Sequence, residues 1–176
     1  MKWLKRIVLG VAVLVAVLLA VGMILPSGFK VQRSVEVAAS PSRVYPLIAS
    51  PREWKNWSVW NRRDPAMKVE YSGPESGVGA KWSWQSKTEG NGTMEFTAAV
   101  QDQRVDYSLH FLDFDMRSKG QLQLQASGGG TRVTWTNEGD VGKNPVNRYF
   151  AAMMDSMVGP DFQAGLANLK ALSERN

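Results

Sequence analysis

Few side chains in this chain are equipped for chemistry. There is no cysteine and a single histidine, His110. That excludes disulfides, thiolate metal sites, cysteine nucleophiles, a lipidated cysteine anchor and a multi-histidine metal site within one chain. Alternation puts His110 on the outward parity with Asp106 and Ser108, so it reads as a surface residue rather than a base. Asp113 and Asp115 form a carboxylate pair without a third ligand, in a segment that reads as a turn and favours Asp for that reason alone. The glycines at 73, 77 and 79 lack the Gly-Lys-Ser/Thr ending and the following helix of a phosphate loop. Arg33 has inward parity between Val31 and Val35. A buried guanidinium needs a carboxylate, a carbonyl or an anionic ligand. Arg33 is therefore either a polar handle for a ligand or a residue at the wet edge of a strand that starts late. No residue stands out as catalytic, and no metal or cofactor is expected.

What the chain does supply is apolar lining. Tyr71, Trp82, Trp84, Phe96, Tyr107, Phe111 and Trp135 share inward parity along short alternating runs. Met153, Met154, Met157 and Phe162 would face them from a C-terminal helical segment. Ser118 and Gly120 sit on the inward parity of a central strand and leave room. Methionine and aromatics together make an adaptable lining for a hydrophobic ligand; the same side chains could equally fill a core. Trp54, Trp57 and Trp60, spaced by three, either anchor a short helical segment to the sheet or form the rim of a ligand entrance.

These residues must be positioned by recognisable elements. Residues 29–37 alternate as a half-buried strand. Ser40 and Pro41 open a helix that Pro46 keeps short or irregular, and Pro51 opens the next. From Met67 to Trp135 six short alternating runs, separated by turn residues, read as an antiparallel meander, with Met94, Phe96, Ala98 and Val100 inward in one of them. Residues 139–146 read as a loop. Residues 147–173 are helical, with Gly159 and Pro160 expected to bend or restart the helix and Asp155 and Asp161 on its solvent side.

Residues 7–25 form 19 consecutive positions without a polar or charged side chain. As a helix they span about 28 Å, close to the roughly 30 Å core of a bilayer. The run is longer than a signal-peptide core, and Leu18 puts a large side chain where a small-x-small cleavage site ending at Ala20 needs a small one. It reads as an uncleaved anchor. Lys2, Lys5 and Arg6 precede it, which predicts a cytoplasmic N-terminus and a body on the outer, periplasmic or extracytoplasmic face of the cytoplasmic membrane. Setting those three aside, 18 of the 21 basic residues remain against 16 acidic ones. The body is nearly neutral, with no basic stripe for nucleic acid. The expected divisions are a basic tail at 1–6, a transmembrane helix at 7–25, a linker at 26–28 and one domain at 29–176.

The order strand, two short helices, six strands, long helix is a helix-grip arrangement. The chain resembles the START/Bet v1-like (SRPBCC) superfamily, in particular small bacterial polyketide cyclase/dehydrase-like proteins. The resemblance is carried by Val35-Glu36-Val37 running into Ser40-Pro41-Ser42-Arg43-Val44-Tyr45, by Trp54-Lys55-Asn56-Trp57-Ser58-Val59-Trp60, by residues 71–80, by Thr131-Arg132-Val133-Thr134-Trp135, and by Gly159-Pro160-Asp161-Phe162 with residues 165–169. It implies an α+β fold, with a seven-stranded curved antiparallel sheet wrapped on a long C-terminal helix and a cavity between them for lipids, polyketides or similar molecules. The expected function is membrane-anchored binding of a hydrophobic small molecule or lipid. The alternatives are a cyclase or hydrolase of a hydrophobic substrate and an envelope protein-interaction module.

Overall fold

The structure is a computed structural model that describes residues 2–175. Met1, at the head of the predicted tail, and Asn176, at the end of the predicted domain, lie outside the described residues. Helix α1 (Lys2–Ile24) is followed by strand β1 (Gly28–Val37), helices α2 (Pro41–Ala49), α3 (Pro51–Trp57) and α4 (Trp60–Arg63), strands β2 (Lys68–Ser72), β3 (Lys81–Gln85), β4 (Asn91–Val100), β5 (Arg104–Phe111), β6 (Met116–Ser127) and β7 (Gly130–Asp140), and helix α5 (Pro145–Ser173). Helix α1 takes in residues 2–6 of the predicted tail and ends at Ile24, because the backbone turns at Leu25 ahead of Pro26. Strand β1 begins at Gly28, which leaves residues 25–27 between it and α1.

The seven strands form one antiparallel sheet in the order β1-β7-β6-β5-β4-β3-β2. Strands β2 to β7 are a meander, and β1 closes it by pairing along β7 from Gly28↔Asp140 to Val37↔Thr131. Two boundaries differ from the sequence reading. Strand β7 runs on to Asp140 and α5 starts at Pro145, so the predicted loop at 139–146 is shorter than expected. Strand β4 carries a bulge between Phe96 and Ala98. The extra residue reverses parity, so that Ala99 rather than Ala98 or Val100 pairs with the inward Val105.

The short helices are joined by their tryptophans. The Trp54 and Trp57 indole N–H groups donate to the Ile48 and Leu47 carbonyls, each at 2.9 Å. Both carbonyls lie in the last turn of α2 and have no intrahelical partner. Asn168 on α5 then donates to the Trp57 carbonyl at 2.9 Å. Helix α5 runs through Gly159 and Pro160 without restarting. Gly159 lies against Arg33 and Gly165 against Trp135, where a Cβ at either site would crowd those side chains.

Two ion-paired clamps hold α5 along β1. Arg33 grips Asp155 through two hydrogen bonds, at 2.7 and 3.1 Å. Glu174 accepts the Ala38 N–H at 2.6 Å and the Lys170 ammonium at 2.8 Å, while Lys170 also reaches the Glu36 carbonyl. The Arg33 guanidinium holds the Asp155 carboxyl below the usual carboxylate range. The Ala38 N–H, followed by Lys170, does the same for Glu174. Both acids bind protons less readily folded than unfolded, so unfolding takes up protons and acid favours it. The clamps contribute fully above about pH 5 and fade as pH falls through the carboxylate range. The stability gap between the wild type and Asp155→Asn, read from denaturant midpoints, should therefore shrink on going from pH 7 to pH 3. A gap that stays constant would show that the ionised state of Asp155 contributes nothing.

Candidate functional site

Between the concave face of the sheet and α5 lies an apolar cavity of about 170 Å³. Its floor is built from the inward positions of consecutive strands: Tyr71, Trp82 and Trp84, then Tyr107 and Phe111, then Ser118 and Trp135. Met154, Val158 and Phe162 roof it from α5, one turn apart. Trp54 and Trp60 form the wall on the side of the short helices.

Six predicted residues are placed elsewhere. Phe96 is fully buried behind Trp54 and Trp82, with ring centroids 6.0 and 5.5 Å away. Gly120 leaves room, but the Tyr107 ring occupies it; a Cβ there would overlap the phenol. Met153 and Met157 point outward and are more than half exposed, because neighbours on a helix diverge by about 100° and Met154 and Val158 take the inward arc. Trp57 is fully buried among Trp54, Trp135 and Gly165 rather than at a rim. Trp54, at 3% exposure, is core and cavity wall, which leaves Trp60 as the one half-buried member of the predicted rim. Arg33 does have inward parity, but Asp155 takes up its fork, so it is a clamp between strand and helix and does not line the cavity. Of the two acids expected on the solvent side of α5, Asp155 is exposed and pairs with Arg33 there, while Asp161 is half-buried and pairs with Arg63 on α4. Asp113 and Asp115 serve separate partners: Asp113 accepts the Asn91 backbone and side-chain N–H groups, and Asp115 bonds His110 at 2.7 Å.

The predicted lining leaves out Asn137, Phe29, Leu109 and Met116, and also Met94, whose inward parity was legible; all five line the cavity. Asn137 continues the inward parity of Val133 and Trp135; following β7 one step further would have found it. Asn137 matters because it makes a polar spot in an apolar floor. Its side-chain amide lies 3.3 Å from the Tyr107 hydroxyl, which also accepts the Trp135 indole N–H at 2.9 Å. Burial pushes the Tyr107 phenol up to about 12, against the lowering effect of its Asn137 and Trp135 hydrogen bonds. It stays neutral and acts as a hydrogen-bonding group, not as a base. Tyr107→Phe should cost about 1–3 kcal/mol, because two buried donors lose their acceptor. Denaturant unfolding measures this, and a loss below about 0.5 kcal/mol would show that solvent replaces the hydroxyl.

Two ionisable side chains reach the cavity edge, Lys55 and Glu89. Glu89 is held by Arg63 at 3.2 Å, and the same guanidinium binds Asp161. Arg63 thus ties α4 to the β3–β4 hairpin and to α5 across the edge of the cavity. The arrangement offers a mostly apolar enclosure, a few neutral polar groups (Tyr107 with Asn137, and Ser58, Asn61 and Ser118) and a border where Glu89 is ion-paired. It suits retention of an apolar molecule better than proton transfer.

A family model described as polyketide cyclase/dehydrase and lipid transport matches residues 28–174. A comparison with curated protein sequences finds no match. Among solved structures, protein MLL2253 from Mesorhizobium loti superposes with a TM-score of 0.62 at 15% identity, covering 84% of this chain and 98% of its own. Ara h 8.0201 gives 0.61 at 12% identity, covering 85% and 99%. The Aha1 dimer from Colwellia psychrerythraea gives 0.56 at 16%, covering 80% and 96%. At these identities the structural likeness speaks for the fold, a Bet v1-like helix grip, and the match along 28–174 speaks for the family. The chain belongs to the polyketide cyclase/dehydrase and lipid-transport family of the SRPBCC superfamily.

Proposed function

We propose that the protein is a membrane-anchored binder of a hydrophobic small molecule or lipid, held in the cavity between the sheet and α5. The observation that carries this reading is the cavity itself, lined mainly by apolar side chains, with a buried polar pair at Tyr107 and Asn137. Its resting volume of about 170 Å³ is below the 300–1,000 Å³ of most ligand pockets. It compares with an engineered cavity of about 150 Å³ that takes up benzene. The seated part of the ligand is therefore a ring or the end of a chain, and anything larger extends towards the edge or displaces side chains such as Met154 and Trp60.

The anchor is α1. It is 23 residues long, apolar and almost wholly uncovered by the body, and by length and composition it can cross a membrane. Lys2, Lys5 and Arg6 ahead of the apolar run support a cytoplasmic N-terminus, with the body on the periplasmic or extracytoplasmic side of the cytoplasmic membrane. Beyond the helix only Lys30 and Arg33 follow closely, and Arg33 is neutralised by Asp155. The test is native mass spectrometry of the full-length protein in detergent, with lipid analysis of what co-purifies. A stoichiometric apolar passenger is expected. A bare protein that also ignores a hydrophobic fluorescent probe would overturn the reading.

A further inference from the structure

Among the described residues, the large apolar side chains exposed on the body are Val78 and two clusters. One cluster is Leu112 and Phe114 in the turn between β5 and β6, with Phe114 80% exposed. The other is Val146, Phe150, Met153 and Met157 on α5, each more than half exposed. A soluble surface has no use for either.

Both clusters lie at the end of the body from which α1 leaves. The register places Ser118 opposite Gly139 and Gly28 opposite Asp140. The β5–β6 turn, just beyond the Phe111↔Met116 pair, is therefore at the end of the sheet where α1 joins β1. On α5 the four exposed residues recur at intervals of four, three and four. At 3.6 residues per turn they make one stripe about 60° wide. One flank of that stripe is the arc that meets α1. There Gly22, the one buried residue of α1, admits Pro145 so closely that a Cβ would overlap it, and the Tyr149 hydroxyl donates to the Leu18 carbonyl at 2.6 Å. The other flank is Met154, which roofs the cavity. The cavity residues Trp84, Phe111 and Met116 are half-buried and stand at this same end of the sheet.

Depth follows from the α1 contact. Leu18 precedes Ile24 by six residues, about 9 Å along the axis. A bilayer that covers α1 to its end reaches the level of Tyr149. Apolar helix faces bed about 5–10 Å into the headgroup–acyl boundary, and Tyr149 with Arg148 supplies the amphipathic groups suited to that level. Arg148 caps the end of α1 by donating to the Met23 and Leu25 carbonyls.

We propose that this end of the body is bedded in the lipid surface. Phe114 and the stripe from Val146 to Met157 enter the boundary of the leaflet from which α1 emerges, and the adjoining end of the cavity faces lipid rather than water. The inference rests on α1 being a membrane span, and its test keeps the two apart. Because the chain lacks cysteine, nitroxides can be placed singly at Phe114→Cys, Phe150→Cys, Val13→Cys in mid-α1, and Gln125→Cys at the opposite end of the sheet. The full-length variants are reconstituted in phosphatidylcholine/phosphatidylglycerol vesicles. Collision of each label with oxygen, which partitions into lipid, is compared with collision with a water-soluble nickel chelate.

The expected result is oxygen-dominated relaxation at 13, 114 and 150 and nickel-dominated relaxation at 125. Oxygen at 13 with nickel at both 114 and 150 would overturn the docking and leave the anchor standing. Nickel at 13 would overturn both. A label at 150 shielded from both reagents would point to a second copy covering the stripe and would equally overturn the lipid assignment.

Discussion

Trp135→Ala should lower the unfolding free energy of the body by about 3–5 kcal/mol, as expected for removal of a fully buried large aromatic. The side chain is completely buried on the central part of β7. It stacks on Phe162 of α5, with centroids 3.9 Å apart and planes 11° from parallel. It meets Trp54, Trp57 and Trp60 edge-on at 5.6, 5.2 and 5.8 Å. Its indole N–H is bound to Tyr107. One side chain thus joins the sheet, the short helices and the long helix, and its loss removes area burial together with aromatic pair terms of about 0.5–1.5 kcal/mol each. Since a domain is stable by about 5–15 kcal/mol in total, the variant should be near its unfolding threshold at 37 °C. Trp60→Ala is the comparison, because Trp60 is half-buried at the edge of the same cluster and its loss should cost less than half as much. Denaturant titrations in detergent, with far-UV circular dichroism as the probe, measure both. Equal costs would mean that the cluster collapses to fill either hole, and that Trp135 holds no special place.

The strand–helix order was legible because each strand keeps its alternation and each connection carries turn residues. Where the sequence reading failed, a local feature broke the periodicity it relied on. The bulge after Phe96 inserts one residue into β4, and nothing in Thr97, Ala98 or Ala99 marks which is the extra one. Gly120 on an inward parity implies space, but space in a packed interior is filled by a neighbour, here the Tyr107 ring. Arg33 has the inward parity and the need for a carboxylate that its position implies, but the sequence does not say which one. Its carboxylate lies on α5, 122 residues away in sequence, and no spacing rule connects them. Met153 and Met154 could not both face the sheet, and their order was undetermined because the first half of α5 is apolar on two adjacent arcs. That double apolarity is the feature a one-sided amphipathic helix lacks. One arc covers the cavity and the other lies uncovered beside α1.

The same geometry makes the cavity separable from the core by experiment. Val158 stands one turn after Met154 and one before Phe162, half-buried and directed into the cavity. Val158→Trp places an indole in a space of about 170 Å³, where a benzene-sized group has room. Two effects then oppose each other. Filling an empty cavity stabilises by about 0.5–2 kcal/mol, and overpacking a filled one costs about 1–3 kcal/mol. If the space holds a passenger, the variant competes with it directly. The full-length variant should lose its co-purifying apolar molecule at least tenfold in native mass spectra, while the delipidated protein unfolds at an equal or higher denaturant midpoint than the delipidated wild type. A lower midpoint with the passenger retained would mean that the space is core packing and that the ligand sits elsewhere. Gln125→Trp, the same side chain on the exposed outer face of β6, controls for added aromatic surface and should change neither reading.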